Sequence, residues 1–375
     1  MVAMASLRYT LLALCILLGI ANASNSTEET QTDCNPTKKS CPADPALGTE
    51  HTWWLNQTLD EDLWTMQTGT YEYDDEGANF VIKKENSSTL LVSNFYIFFG
   101  VMEFHAKMAK GGGIISSVVL MSDDLDEIDW EWVGYNTSGV QSNFFGKGNT
   151  TTSDRGGYHW VTDADTEFHN YTTYWDKDRL EWWIDGDKVR TVNYSEPATV
   201  YGKNYPQTPC KVKLSNWPVG LPTSAQGDIE WGGGLVNWDD LPFTMSVQRM
   251  RVKDFHTGKE YTYDGTSGTY ESIKVVSGNS TAKETIEKPP EKSLSEKWDD
   301  LGQGAHIGVY CGAAVAGALL IGALAFYCVR QRRKGRLEAA LTDGGQATEL
   351  TKMDTYRNQW RQSEMGYKGY QPVKE

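Results

Sequence analysis

The stretch DEIDWEW, residues Asp126–Trp132, decides the interpretation of this chain because its side chains alternate in chemistry. Side chains two residues apart on a β-strand point to the same face. One face of this strand would therefore carry the carboxylates of residues 127, 129 and 131, and the other an isoleucine and two tryptophans. The pattern predicts a strand with one acidic surface and one bulky apolar surface.

The three carboxylates repel one another, and the stretch contains no basic residue that would relieve the repulsion. Neighbouring carboxylates push their pKa values apart, so one can be protonated while the other is ionised. Cleavage of a glycosidic bond needs such a pair, here Glu127 and Glu131 with Asp129 between them. The alternative is an acidic strand that is merely solvated or binds a cation.

The spacing of Glu127 and Glu131 bears on the mechanism. Their Cα atoms would lie roughly 13 Å apart on a flat strand, whereas the carboxyl groups of retaining glycosidases lie about 5–5.5 Å apart. Long side chains that lean toward each other over Asp129, on a twisted strand, would close most of this gap. Spacing alone does not exclude the wider separation of an inverting enzyme.

The composition of the chain narrows the class of partner. Its 375 residues carry a formal net charge of −15 and the pI is about 4.9, which argues against a nucleic-acid partner. The 14 Trp and 19 Tyr residues exceed what most cores need, and such side chains often form flat platforms for sugar rings, although packing can also use them.

Residues 1–23 have the parts of a secretory signal peptide: Arg8, the apolar run Leu11–Ile20 and the small-x-small sequence Ala21-Asn22-Ala23. The mature chain would begin near Ser24. Eight Asn-x-Ser/Thr sequons agree with secretion and predict N-glycosylation of a surface. They lie at Asn25, Asn56, Asn86, Asn136, Asn149, Asn170, Asn193 and Asn279.

Secretion places the cysteines in an oxidising compartment, where disulfides form. Cys34 and Cys41 are close in sequence, with Pro36 and Pro42 shaping their loop, and we expect them to pair. Cys210 is then left over, either buried and free or in a different pairing.

Residues 24–271 are predicted to form one all-β domain. Helical periodicity is scarce between residues 45 and 270, where many short strands alternate with Gly, Asn and Asp turns. This pattern is typical of an antiparallel two-sheet sandwich. A concave sheet of that kind can carry a cleft lined by alternate side chains.

The C-terminal part is predicted to anchor this domain in the plasma membrane. Residues 272–305 are rich in Ser, Thr, Lys, Glu and Pro, which predicts a stalk. Residues 307–329 are uncharged and long enough to span a bilayer. The basic residues that follow stay cytoplasmic, so the N-terminal domain would face outward. The polar residues 330–375 would form a disordered cytoplasmic tail.

With these features established, residues 30–270 resemble glycoside hydrolase family 16, and within it the fungal Crh cell-wall transglycosylases. The acidic stretch matches the signature of that family. Five further segments agree with the resemblance: the Cys34–Cys41 loop followed by Pro45–Gly48, Asn143–Gly148, Phe168–Trp175, the hairpin at Trp183–Gly186, and Trp217-Pro218.

The resemblance implies a concanavalin-like jelly-roll sandwich and a retaining double displacement without a metal or an organic cofactor. By position, Glu127 matches the nucleophile, Asp129 the assisting carboxylate and Glu131 the general acid/base. The implied donor is chitin and the implied acceptors are β-glucan and chitin, so the reaction would cross-link the cell wall.

The resemblance also implies substrate contacts. Glu131 would contact the substrate, and Trp217 matches a substrate-stacking tryptophan, with a core position as the alternative. Lys213 stands where the family often has Arg, and Asp228 stands where Thr is common, which bears on subsite affinity. Asn143 would line the cleft or shape a turn.

Two other functions are compatible with the sequence. A hydrolase of chitin or β-glucan would use the same carboxylates and differ in how well the acceptor side excludes water. A non-catalytic sugar-binding or signalling ectodomain would not need both Glu127 and Glu131, so their presence disfavours it.

Overall fold

The computed structural model describes residues 34–150, 155–289 and 294–365. They belong to two units, divided in the sequence between Lys288 and Pro289. The predicted signal peptide, the Asn25 sequon and residues 366–375 lie outside the described residues.

The first unit is built from short strands, as its apolar runs and turn residues predict. Among the described residues, the strands are β1 (Asp44–Pro45), β2 (Glu50–Trp54), β3 (Trp64–Thr68), β4 (Tyr71–Asp74), β5 (Gly77–Ile82), β6 (Thr89–Ile97), β7 (Gly100–Lys107), β8 (Ile114–Ser122), β9 (Glu127–Val133), β10 (Gly139–Phe145), β11 (Gly157–Trp160), β12 (His169–Trp175), β13 (Arg179–Ile184), β14 (Asp187–Asn193), β15 (Cys210–Pro218), β16 (Phe243–Asp254), β17 (Glu260–Tyr263) and β18 (Ile273–Val276). The helices of this unit are α1 (Gln226–Trp231), α2 (Thr281–Glu287) and the short 3-10 turns Pro197–Thr199, Trp238–Asp240 and Tyr270–Ser272.

Two antiparallel sheets stack to form a sandwich. The seven-stranded sheet has the order β11-β10-β9-β8-β15-β6-β3. The eight-stranded sheet has the order β14-β13-β12-β7-β16-β5-β4, with β2 paired to β16, and β1, β17 and β18 form a third, small sheet. The predicted all-β jelly-roll sandwich is therefore confirmed.

The acidic stretch forms β9, inside the seven-stranded sheet, and its two faces differ as predicted. Trp130 and Trp132 are at most 1% exposed and pack on Tyr171 of the eight-stranded sheet, with ring centroids 5.5 and 4.7 Å away. Trp182 Nε1 also donates to the Asp129 carbonyl at 3.2 Å. These contacts fix the register of β9, because a slip by one residue would exchange its two faces.

A buried ionic network holds the turn that leads into β9. Asp124 and Asp126 are at most 1% exposed, and Lys147 Nζ lies 3.3 and 2.6 Å from their carboxylates. Thr208 Oγ1 donates to both carboxylates, and the Gln207 N–H donates to Asp126 at 2.8 Å. Burial raises the pKa of Asp126 to about 6, and the charge of Asp124 adds to this effect while Lys147 opposes it.

The structure corrects the N-terminal part of the predicted stalk at 272–305. β18 pairs with β17, and α2 docks on the sandwich, where Ser280 Oγ donates to the Leu47 carbonyl at 2.6 Å and Ala282 is 8% exposed. The polar composition concealed this packing because only a few side chains, such as Ile273, Ser280 and Ala282, anchor the segment. The first unit therefore extends to Lys288, beyond the predicted boundary at 271.

The described part of the second unit consists of α3 (Leu294–Asp299) and α4 (Gln303–Met365). α4 contains a stretch that is long and apolar enough to cross a membrane. The helix continues to Met365, where the polar composition predicts a disordered tail. Many residues after the apolar stretch are strong helix formers such as Ala, Leu, Glu, Gln, Lys and Arg, which accounts for the difference.

We expect Lys147→Met to destabilise the first unit by about 3–5 kcal/mol near neutral pH, because two buried carboxylates lose their counter-charge. Urea unfolding followed by tryptophan fluorescence measures this loss. The penalty should shrink as the pH falls toward about 6, because Lys147 lowers the pKa of Asp126 and its removal lets the variant take up the proton at a higher pH than the unmodified protein. Lys188→Met is the control, because Lys188 pairs with Glu181 at 3.2 Å and is 43% exposed, so its loss should stay below about 1 kcal/mol. Equal effects of the two substitutions would contradict the account.

Asp44 gives the first unit a second pH dependence. Its carboxylate is buried and accepts a hydrogen bond from Tyr263 Oη at 3.0 Å. Burial, with help from the charge of Asp123, raises the pKa of Asp44 from 3.8 to about 8. The folded chain therefore keeps a proton that the unfolded chain releases, so this stabilisation is lost as the pH rises from about 4 to about 8.

We expect Asp44→Asn, which keeps an acceptor for Tyr263 and removes the titration, to flatten this dependence. Between about pH 5 and about pH 8, the variant should lose at least about 1 kcal/mol less unfolding free energy than the unmodified protein. Urea unfolding at the two pH values measures the difference. Identical losses in both proteins would show that Asp44 does not carry the effect.

Candidate active site

The outward face of the seven-stranded sheet, called here the cleft face, carries the carboxylates of β9. Residues directly opposite each other on neighbouring strands share a face. The strand register therefore shows which residues lie beside each carboxylate, and each such line of residues across the sheet is called a row. Glu127 and Glu131 are half-buried on it, and Asp129 between them is 1% exposed. The three predicted carboxylates therefore lie side by side on one surface, opposite the tryptophan core.

The row through Asp129 contains two of the predicted binding residues. Asn143 of β10 lies opposite Asp129 on one side, and Val119 of β8 lies opposite it on the other. Lys213 of β15 follows beyond Val119. Asn143 Oδ1 accepts the N–H of Phe144 at 2.9 Å, which orients the amide. This row thus places an amide next to the middle carboxylate and a cation two strands away.

The row through Glu131 is polar and contains residues that the sequence did not single out. Gln141 lies opposite Glu131 on β10, and its Oε1 accepts a hydrogen bond from Trp231 Nε1 at 3.0 Å. On the other side, Ser117 of β8 is followed by Ser215 of β15, and their Oγ atoms lie 2.6 Å apart. Hydroxyl and amide groups in this row can exchange hydrogen bonds with sugar hydroxyls.

The row through Glu127 leads into a groove. Met121 of β8 and Lys211 of β15 follow Glu127 across the sheet, and Lys211 Nζ lies 5.0 Å from the ring centroid of Tyr96. The groove has a volume of about 530 Å³, and Lys211, Lys213, Cys34 and Pro42–Pro45 are among its lining residues. The N-terminal loop, closed by the Cys34–Cys41 disulfide, thus forms part of its wall.

Trp217 lies on the cleft face at the end of the sheet nearer Glu131. It is opposite Ile115 of β8 and half-buried against an apolar cluster of Ile115, Val133 and Val219, with Trp231 beside it. Asp228 lies on α1 three residues before Trp231, and the contact of Trp231 with Gln141 links this helix to the cleft.

Arg190 of β14 lies on the core side of the acidic row, the name used here for Glu127, Asp129 and Glu131 along β9. Its Nη1 donates to the Ser142 carbonyl at 2.6 Å, and its Cζ lies 4.8 Å from the ring centroid of Trp182. Burial lowers the pKa of Arg190, and the charge of Asp129 opposes this shift. A partly buried cation on the core side of the middle carboxylate reduces the electrostatic cost of three neighbouring negative charges.

The other predicted positions lie outside these rows. The Cys210 thiol is buried and free, and it donates to the Thr208 carbonyl at 3.2 Å. The described sequon asparagines are exposed at Asn56, Asn86, Asn193 and Asn279, and partly exposed at Asn136, Asn149 and Asn170. Within the described ranges, no group of His, Cys, Asp or Glu side chains is arranged to hold a metal ion.

Comparison with known proteins agrees with this geometry. The profile of "Glycosyl hydrolases family 16" matches residues 59–233. Crh-like protein 3 of Aspergillus fumigatus is 56% identical over 96% of this chain and 98% of its own length. Crh-like protein of Arthroderma benhamiae is 44% identical over 92% of this chain and 93% of its own length. The solved structure "Crh5 transglycosylase in complex with NAG" is 41% identical, has a TM-score of 0.62, and covers 64% of this chain and 99% of its own.

The resemblance that the acidic stretch and its companion segments indicate is thus confirmed by similarity over nearly the whole chain. The profile match includes all of β9, and the relatives that share the fold also share more than two fifths of their residues with it. This chain belongs to glycosyl hydrolase family 16, among the Crh-like proteins.

Proposed function

We propose that this protein is an extracellular retaining transglycosylase that cleaves chitin and transfers the fragment to β-glucan or chitin acceptors. The observation that carries the proposal is the cleft face of β9, where Glu127 and Glu131 flank the buried Asp129. Glycosidic bond cleavage with retention needs two such carboxyl groups, one as nucleophile and one as proton donor.

In the first step, the Glu127 carboxylate attacks the anomeric carbon of the donor sugar, and the bond from that carbon to the glycosidic oxygen breaks. Glu131 gives its proton to the departing oxygen, so the leaving chain ends in a hydroxyl. The sugar remains as an ester on Glu127, and Glu131 becomes a carboxylate. Asp129 lies between the two groups as the assisting carboxylate.

In the second step, Glu131 removes the proton from an acceptor hydroxyl, whose oxygen attacks the same anomeric carbon and releases Glu127. Two displacements at one carbon restore its configuration. A sugar acceptor gives transfer, and water gives hydrolysis. The groove of about 530 Å³ beside Glu127 offers space for a further part of a polysaccharide chain.

Aromatic and polar side chains on the cleft face hold the substrate in this proposal. Trp217 stacks on a sugar ring, Asn143 and Lys213 bind hydroxyl or carbonyl oxygens from the row of Asp129, and Asp228 contributes from α1. The related Crh5 transglycosylase was solved in complex with NAG, the sugar unit of chitin. This relative supports chitin as the donor.

The active site would face the cell wall from the outer surface of the plasma membrane. We infer that residues 1–23 are removed as a signal peptide and that the catalytic domain runs from Ser24 to Lys288. Residues 307–329 would span the membrane, within the apolar part of α4. The basic residues that follow would remain in the cytoplasm with the rest of 330–375.

We expect Glu127→Gln to reduce transfer by at least about a thousandfold, because an amide cannot form the glycosyl ester. The assay uses the full-length protein in detergent, chitin oligosaccharides as donors and a fluorescent β-glucan as acceptor. Glu61→Gln, an exposed residue of the same type, is the matched control and should retain activity.

Labelled polymer formed by the unmodified protein supports transfer, whereas release of small sugars alone would favour hydrolysis. Sugar binding without turnover would contradict the enzymatic proposal and favour a binding domain. Circular dichroism of Glu127→Gln verifies that the fold is intact, so that a loss of activity reports on chemistry.

A further inference from the structure

We propose that Tyr158 and Trp160 of β11 form a distal sugar-binding subsite of the same cleft. The inference rests on the proposed function and adds to it a position that holds the polysaccharide beyond the catalytic strand. Its ligand is a β-linked pyranose unit of the chain that crosses the cleft face.

The strand register places Tyr158 in the row of the proposed acid/base. Gln141 lies opposite Glu131 on one side and opposite Tyr158 on the other. Neighbouring strands are about 4.8 Å apart, so Tyr158 lies roughly 10 Å from Glu131 across the sheet. Trp160, two residues along β11, lies opposite Gly139 and shares the same face. The two aromatic residues therefore continue the catalytic surface to the edge of the sheet.

A glycine and an asparagine hold the Tyr158 ring in place. A Cβ atom at Gly139 would come within 2.1 Å of Tyr158 Oη, so the ring lies across the bare glycine backbone. Asn136 Nδ2 donates to the same oxygen at 2.8 Å. The Trp160 ring packs edge-to-face on the Tyr158 ring, with an interplanar angle of 86° and ring centroids 5.2 Å apart. Together they form a corner of two aromatic surfaces in a fixed orientation.

Both rings are open to solvent. Trp160 is 79% exposed, more than any other large apolar side chain described in residues 34–289, and Tyr158 is 41% exposed. Adjacent exposed aromatic residues mark binding surfaces when they join an existing site. The continuity with Gln141 and Glu131 identifies the site they join, and the apolar face of a pyranose ring is the ligand that a flat aromatic surface in a polar row accepts.

The test is a kinetic series with chitin oligosaccharides of increasing length and the full-length protein. In the unmodified protein, KM should fall once the oligosaccharide is long enough to reach β11. In Trp160→Ala, the ratio of the KM for long substrates to the KM for short substrates should rise roughly three- to tenfold, as expected for one lost aromatic contact. Trp160→Phe, which keeps a ring, should restore most of the difference. An unchanged ratio in Trp160→Ala would overturn the proposal.

Tyr201→Ala is the matched control, because Tyr201 is an aromatic residue that is 69% exposed on the loop before β15. Its KM ratio should equal that of the unmodified protein. A comparable rise in Tyr201→Ala would show that surface aromatic residues act nonspecifically and would overturn the proposal.

A glycan on Asn136 is the competing occupant of these rings. Ser138→Ala removes the sequon and keeps the Asn136 side chain that contacts Tyr158. The effect of Trp160→Ala should persist in this background. An effect that appears only in the glycosylated protein would overturn the proposal, because the rings would then serve the chain's own glycan.

Binding measured in Glu127→Gln separates this inference from the proposed reaction. Affinity that rises with oligosaccharide length and requires Trp160 supports the subsite even if the unmodified protein shows no turnover. If Trp160→Ala turns over substrate and its KM depends on oligosaccharide length as in the unmodified protein, the proposed reaction is supported and the proposed subsite is contradicted.

Discussion

The packing of Trp130 and Trp132 against Tyr171 is the constraint on which the rest of the site depends. A slip of β9 by one residue would expose both tryptophans, at about 2–3 kcal/mol each, and would turn three carboxylates from the cleft face into the apolar core, which costs far more unless they are paired. The acidic row is therefore not held by attraction among its own members. The apolar face on the other side of the strand holds it, so fold stability and active-site geometry are set by the same seven residues.

The repulsion within this row is offset by cations around it. Arg190 lies on the core side of Asp129, between the sheets. Lys213 lies on the cleft face, in the row that crosses the sheet through Asp129. Lys147 neutralises the buried aspartates at the turn before β9. With a net charge of −15, the chain disfavours polyanions as ligands, whereas neutral polysaccharides incur no such repulsion. The arrangement suits a substrate recognised through its hydroxyl groups and ring faces.

The sequence predicted β9, its two faces and the sandwich, because a two-residue alternation and local turn residues carry that information. It did not reveal Gln141 or the hydroxyl pair of Ser117 and Ser215, because those residues meet the carboxylates of β9 only through the strand register. It did not reveal Trp231, because this residue reaches the cleft only through its hydrogen bond to Gln141. The two serines are 98 residues apart in the chain, and no local pattern encodes their pairing. The stalk prediction was wrong for residues 272–288 for a related reason. β18 has only four residues and α2 is polar, and the few buried contacts of both depend on distant partners.

The most direct test of the account is to trap the covalent intermediate. Glu131→Ala, incubated with a chitin oligosaccharide that carries an activated leaving group, should form the glycosyl ester and fail to pass it on, because the base for the second step is absent. Mass spectrometry of the digested protein should find the sugar attached to Glu127. An adduct on another residue, or turnover of the activated donor with no adduct at any time, would contradict the proposed roles of the acidic row.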